Sequence, residues 1–314
     1  MLIIKLLSAY CLDILFADPY RIPHPVQVIG WFISRLEKMA PAGFKKQWGT
    51  AANLVVLSTT FFVCLWLARL HWIIEVYLLY TCLATRSLAD EALKVKRIIE
   101  QDDISLARQE IGYLVSRDTG KMDKKQIIRS TLETVAENTV DAVVSPLFYM
   151  LLGALLEPYI AGSMLACAMV YKAVNTFDSM WGYKTAQYKD LGWFSARLDD
   201  WANYLPARLT GAVLLPVSAY LLNLNWKNAW FIFKRDRSNH ASPNSGHPES
   251  AVAGALDIQF GGRTQYFGEW QDKPTIGDKN KPFTESLIGK AVKLLWSSSL
   301  LMLGVIILIL IFTG

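Results

Sequence analysis

Residues 294–312 carry no ionisable side chain at all. A run of that length is what a single helix needs to cross the ~30 Å hydrocarbon core of a bilayer. Inside lipid the backbone must satisfy its own hydrogen bonds, so helix is the conformation such a run is confined to. Further apolar stretches lie at 1–16, 51–68, 71–85, 143–156 and 159–174, and a proline-containing one at 205–222. With 53% hydrophobic residues the chain is too apolar for an ordinary soluble domain. The sequence therefore predicts an all-α, polytopic membrane protein, a single domain over 1–314, with helical polar loops at 17–50, 86–141, 176–204 and 223–293 forming the active site.

Charge placement refines this picture. The formal net charge of +5 lacks basic residues interleaved with stacking aromatics, so it reads as membrane topology and excludes nucleic acid as a partner. Putting loop 86–141 on the cytoplasmic side puts 17–50 and 176–204 there too, as the positive-inside rule requires. The basic region 223–293 joins them if 205–222 is re-entrant or kinked, or if the count of spans differs by one; a full crossing would strand it on the other side. Cys11, Cys64, Cys82 and Cys167 each sit in an apolar segment with no CxxC pair, so they read as small buried hydrophobes. Asp13 interrupts the first apolar run and no small-residue cleavage site follows it, which argues against a cleaved signal.

The chemistry centres on the segment 130–141. Glu133, Glu137 and Asp141 recur every four residues, which stacks them on one helix face beside Ser130, Thr134 and Asn138. Like charges at that spacing destabilise a helix. A solvated acidic face would tolerate them, whereas a hard divalent cation such as Mg²⁺ would offset the repulsion. The helix runs directly into apolar 143–156, so the acids stand at a membrane rim, where ionisable groups are functional candidates.

Other polar groups gather at span ends. Three prolines between 19 and 25 make an extended loop carrying Asp18, Arg21 and His24, with 26–39 an amphipathic helix after it. Arg86 and Asp90 follow 71–85, and 89–111 continues as helix. Lys172, Asn175 and Ser179 share a face with Asp178 at its edge, although a lysine there could simply snorkel to the interface. Segment 192–208 wedges Arg197, Asp199, Asp200, Asn203 and Arg208 between aromatics; an intrahelical Arg197–Asp200 pair explains only one of its carboxylates. The loop His240–Glu249, rich in Pro, Gly and Asn and including Asn244, opens a helix at Ser250 and offers backbone N–H groups to an anion.

The blocks at 17–26 (Ala-Asp-Pro-Tyr-Arg-Ile-Pro-His-Pro-Val), 133–146 (Glu-Thr-Val-Ala-Glu-Asn-Thr-Val-Asp-Ala-Val-Val-Ser-Pro), 171–180, 195–200, 206–208 and 240–249 resemble the CbiB/CobD cobalamin-biosynthesis family, in the family's order and over nearly the whole chain. The resemblance implies an inner-membrane adenosylcobinamide-phosphate synthase, joining adenosylcobyric acid, a corrinoid, to aminopropanol phosphate with ATP and Mg²⁺, its active site facing the cytoplasm. Other membrane-bound late enzymes of the pathway would be its neighbours. His247, where a bulky aromatic would be unsurprising, and Ala241, where Pro is frequent, are small departures.

Read for that chemistry, Glu133, Glu137, Asp141, Asp178, Asp199 and Asp200 are the expected metal ligands. Glu133, Glu137, Lys172 and His240 are the expected catalytic groups. Arg86, His24, Asn138, Asn175, Arg197, Arg208 and Asn244 are the expected substrate or phosphate contacts. Forming an amide from a carboxylate needs its oxygen turned into a leaving group, which is mostly positioning and charge neutralisation. No P-loop or dinucleotide-binding glycine motif occurs, so ATP would bind without one. Trp181, Trp193, Phe194 and Trp201 would serve as a corrinoid platform or as interface anchors. A non-catalytic AmpE-like sensory membrane protein is the alternative, but it should not need every polar block. A transporter would carry polar residues in mid-span, and 51–68 and 294–312 have no acids.

Overall fold

A computed structural model describes residues 1–18, 24–115, 118–266 and 269–313, the side chains of 263–266 and 269–272 excepted. Arg21, Arg117, Phe267 and Gly268 thus lie outside the described residues. The elements in order are α1 (Leu2–Phe16), α2 (Pro25–Lys38), α3 (Lys45–Leu70), α4 (Trp72–Tyr80), α5 (Thr85–Glu100), α6 (Ile104–Gly112) and α7 (Lys124–Thr139). A π-helical turn (Val140–Val144) leads to α8 (Ser145–Leu156), followed by α9 (Ser163–Trp181), α10 (Trp193–Ala202) and α11 (Tyr204–Leu209). A second π turn (Thr210–Leu214) leads to α12 (Leu215–Leu221), α13 (Trp226–Asp236) and α14 (Gly246–Leu256). A hairpin of β1 (Gln259–Tyr266) and β2 (Glu269–Gly277) precedes α15 (Ser286–Thr313).

The chain is all-α apart from that hairpin. Among the described residues three helices are long and apolar enough to cross a membrane: Lys45–Leu70, the continuous run Lys124–Leu156, and Ser286–Thr313. Contacts divide the chain into two compact units, one of Met1–Arg86, Asp141–Asn203 and Leu303–Gly314, the other of Ser87–Val140 and Tyr204–Met302.

In the first unit α9 is the hub, with α2, α3, α4, α8 and α10 all packed against it. Its buried face mixes small residues, Ala166, Ala168 and Ala173, with the large rings of Tyr171, Phe177 and Trp181. Across from it, a Cβ added at Gly153 of α8 would stand 2.3 Å from the Ser163 carbonyl oxygen, so glycine is what lets the two backbones meet. In the second unit α14 is the axis. Every residue from Gly246 to Leu256 is buried, and α7, α11, α12, α13 and both strands touch it. A helix buried all round would be expected to be apolar. This one carries His247 and Glu249, and that exception marks a site.

Several elements differ from expectation. The stretch 71–85 is not one helix: α4 has 9 residues, roughly 14 Å long at 1.5 Å per residue, and it packs on α1 more than on α3. The helix expected over 89–111 is two, α5 and α6, because Asp102 takes a left-handed conformation (φ 59°) and turns the chain before Asp103 caps α6. The helix after the 240–249 loop starts at Gly246, not Ser250, since Pro248 is admissible in a first turn. The stretch 205–222, expected to be re-entrant or kinked, is helical almost throughout, with a π turn between α11 and α12. The hairpin was not foreseen; consecutive left-handed Gly261 and Gly262 (φ 73° and 76°) accommodate a bulge in its register.

Candidate functional site

Two polar clusters emerge, one in each unit. In the second unit, α7 starts at a full capping box, with Asp123 accepting from the Gln126 backbone N–H and the Gln126 side chain accepting from that of Asp123. Two turns later α7 presents Glu133, which is buried, and one turn beyond it Glu137, which is partly exposed. Their repulsion is offset by neighbours: the Arg129 Nε lies 3.6 Å from a Glu133 oxygen, and the Ser245 hydroxyl donates to Glu137 at 2.8 Å. Both carboxylates line a cavity of about 250 Å³ with His240, Glu249, Gly261 and Lys273.

The His240 ring is held by its loop. Nδ1 accepts from the Ser242 backbone N–H at 3.0 Å, and Nε2 lies 3.8 Å from Glu249. Burial lowers its pKa, against the pull of Glu137, so the ring is biased toward the neutral form with its proton on Nε2. His240 therefore offers an N–H in this cavity, and the carboxylates are the proton acceptors. Beside the cavity, Arg208 donates to the Asn244 side chain at 3.3 Å while its guanidinium lies over the Tyr204 ring. Asn138 donates to the Thr134 carbonyl of its own helix.

In the first unit the cluster lies between α9 and α10. Asp199 accepts from Asn203 at 3.0 Å and from Asn175 at 3.4 Å. Asn203 in turn accepts from Ser145 at 2.6 Å and from the Tyr171 hydroxyl at 2.9 Å. That hydroxyl is also 3.0 Å from the Asp141 carbonyl oxygen, on the π turn. Burial, together with the negative charge of Asp178, raises Asp199 to about 7. Asp200 is raised by burial too, against the opposing pull of Lys184 and Arg197, and Arg197 also sits 4.8 Å over the Trp193 ring.

His24 caps α2 by accepting from the Val26 N–H, with Nε2 3.7 Å from Asp18. Burial lowers its pKa, Asp18 opposes that, and Lys172 adds to it, which puts Lys172 within electrostatic reach. Arg86 donates to the Ile14 carbonyl at 2.9 Å, satisfying one of the last carbonyls of α1.

The six expected metal ligands are thus divided, Glu133 and Glu137 in one cluster and Asp141, Asp178, Asp199 and Asp200 in the other. Among the described residues no three His, Cys, Asp or Glu side chains converge as a metal cage. A magnesium ion does not require one, since it is commonly held by one or two carboxylates with water and substrate phosphate completing the shell. Two carboxylates one turn apart on a single cavity wall fit that donor set.

A family model described as CobD/CbiB protein matches residues 6–295. The chain belongs to the CobD/CbiB family. Relatives include the cobalamin biosynthesis protein CobD of Clostridium perfringens, 43% identical over 98% of this chain and 97% of that one. The CobD of Listeria monocytogenes (strain F2365) is 41% identical over 95% of each chain, and the CbiB of Salmonella choleraesuis is 42% identical over 98% and 97%. No solved structure matches. The CobD/CbiB match takes in both clusters, and it also takes in two groups on the cavity wall and one beside it to which the sequence attached no role. Glu249 carried a faint signal, an acid inside the turn-rich 240–249 block. Lys273 carried none, because only the hairpin brings it to the cavity, while Arg129 stands four residues before Glu133, the spacing of an intrahelical ion pair.

Proposed function

We propose that this protein acts in cobalamin biosynthesis as a membrane-bound, ATP- and Mg²⁺-dependent amide ligase, joining a propionate carboxylate of adenosylcobyric acid to the amine of (R)-1-amino-2-propanol O-phosphate. Membership of the CobD/CbiB family supports the pathway. The observation that carries the chemistry is the enclosed cavity where Glu133, Glu137 and Glu249 face His240 and Lys273.

In this reading the substrate carboxylate takes the γ-phosphoryl group of ATP, giving an acyl phosphate and ADP. The amine attacks the acyl carbon, the C–O bond to phosphate breaks, inorganic phosphate leaves, and the nitrogen gives up a proton. Glu133 and Glu137 would hold Mg²⁺, which when bound would neutralise phosphate charge. Glu137 or Glu249 receives the proton, with the His240 imidazole standing beside Glu249, its Nε2 3.8 Å from the carboxylate. Lys172, Arg86, Arg197 and Arg208 are the proposed phosphate contacts, and His24, Asn138, Asn175 and Asn244 the proposed polar substrate contacts. The cytoplasmic face of the inner membrane is the proposed location.

The test is direct. Protein purified in detergent should consume ATP only when a corrinoid carboxylate, the amino-alcohol phosphate and Mg²⁺ are all supplied. Glu137→Gln should lower amide formation by about 100-fold or more, in the range of a lost acid–base group, with an unchanged thermal midpoint. Full activity in that variant removes the carboxylate assignment.

A further inference from the structure

A second cavity in the same unit, about 350 Å³, opens beside the first. Its lining is cationic: Lys125 and Arg129 from α7, Lys279 and Lys281 from the segment after β2. The one acid on its wall, Asp123, is already committed to capping α7 through the Gln126 N–H at 2.8 Å. Lys281 is paired with Asp257 at 2.8 Å, and Arg129 donates to the Gly261 carbonyl at 2.7 Å. Lys125 and Lys279 make no ion pair among the described residues. The backbone Gly261–Gly262 also lines the cavity, and a Cβ at Gly262 would meet nothing within 4 Å among the described residues.

We infer that this cavity binds the phosphate group of a phosphate ester. Arg129 and Lys281 already have carboxylate partners in Glu133 and Asp257, which leaves Lys125 and Lys279 to repel each other until an anion is present, and a multiply charged phosphate relieves that better than a carboxylate would. Position adds a second argument. Gly261 lines both cavities, and Arg129, on the wall of the second, reaches Glu133 on the wall of the first. A ligand anchored here by its phosphate has its other end directed at the acidic cavity. In identifying the ester the inference rests on the ligase reading, which offers two of the same chemistry, a nucleoside triphosphate and an amino-alcohol phosphate; the existence of an anion site does not depend on it.

Isothermal titration of the detergent-purified full chain with ATP and, separately, with 1-amino-2-propanol O-phosphate tests the assignment. The variant is Lys125→Ala/Lys279→Ala, both side chains being exposed and remote from the acids, with the thermal midpoint as the folding control. Affinity for one ester should fall about tenfold, as expected for the loss of a charge-assisted contact or two, and the loss should shrink at high salt. A fall for ATP alone assigns the triphosphate, and a fall for the amino-alcohol phosphate alone assigns the monoester. Unchanged affinity for both overturns the inference. Glu249→Gln separates it from the ligase proposal: that variant, at a proposed proton acceptor outside the Mg²⁺ pair, should keep phosphate binding while lowering amide product, so either idea can fail while the other stands.

Discussion

At the scale of single residues, the most informative side chains are the polar ones that the packing encloses. His247 is buried on α14 against Phe233, with ring centroids 5.6 Å apart, and has no hydrogen-bond partner for Nδ1 among the described residues. Burial, assisted by Arg208 and Arg237, lowers its pKa to about 4. The unfolded chain therefore takes up this proton near pH 6.5, while the folded chain resists until about 4. Stability attributable to His247 is present above 6.5 and is lost as pH falls through that window. His247→Phe should flatten the acid limb of a plot of thermal midpoint against pH; a limb of unchanged slope would show that other groups govern it. Sequence flagged His247 only as an unusual choice where an aromatic would fit, and the ring contact with Phe233 explains why an imidazole can stand there. Asn203 shows the limit of sequence reading. Its donation to Asp199 follows the i,i+4 spacing, but its role as acceptor from the Ser145 and Tyr171 hydroxyls comes from helices far apart in the chain, which no spacing rule reveals.

At the scale of elements, the two π turns do what proline breaks were expected to do. Pro146 has no N–H, which leaves the Ala142 carbonyl without its helical donor, and the Ala84 N–H fills that place at 3.2 Å. A wider turn stands before Ser145-Pro146, and another before Leu215-Pro216, and each helix continues past its proline. The α8–α9 contact sets a sharper constraint. With a Cβ at position 153 only 2.3 Å from the Ser163 carbonyl oxygen, Gly153→Ala should cost about 1–3 kcal/mol, seen as a lower midpoint in thermal unfolding in detergent. A neutral result would mean that the two helices can separate without loss. Helices α2, α3 and α7 were legible from apolar periodicity and length. The hairpin was not, because its strands are glycine- and charge-rich with no alternating pattern, and they are held by contact with α13 and α14.

At the scale of the molecule, the class was legible because lipid leaves so few options to an apolar chain. Protein in cell membranes should stay in the pellet through high-salt and alkaline washes and enter solution only with detergent, measured by immunoblot of the fractions; release by the washes would count against spanning helices. The acids were legible as a local pattern, but their division between two clusters was not, since it depends on which distant segments enclose each one. That same discontinuity has a temporal consequence. The first unit includes residues 303–314 and the second takes its axis, α14, from residues 246–256, long after α7 has been made. Neither unit can close during synthesis of its opening segments, so the paired glutamates wait uncovered until α14 and the hairpin have followed α7 out of the ribosome.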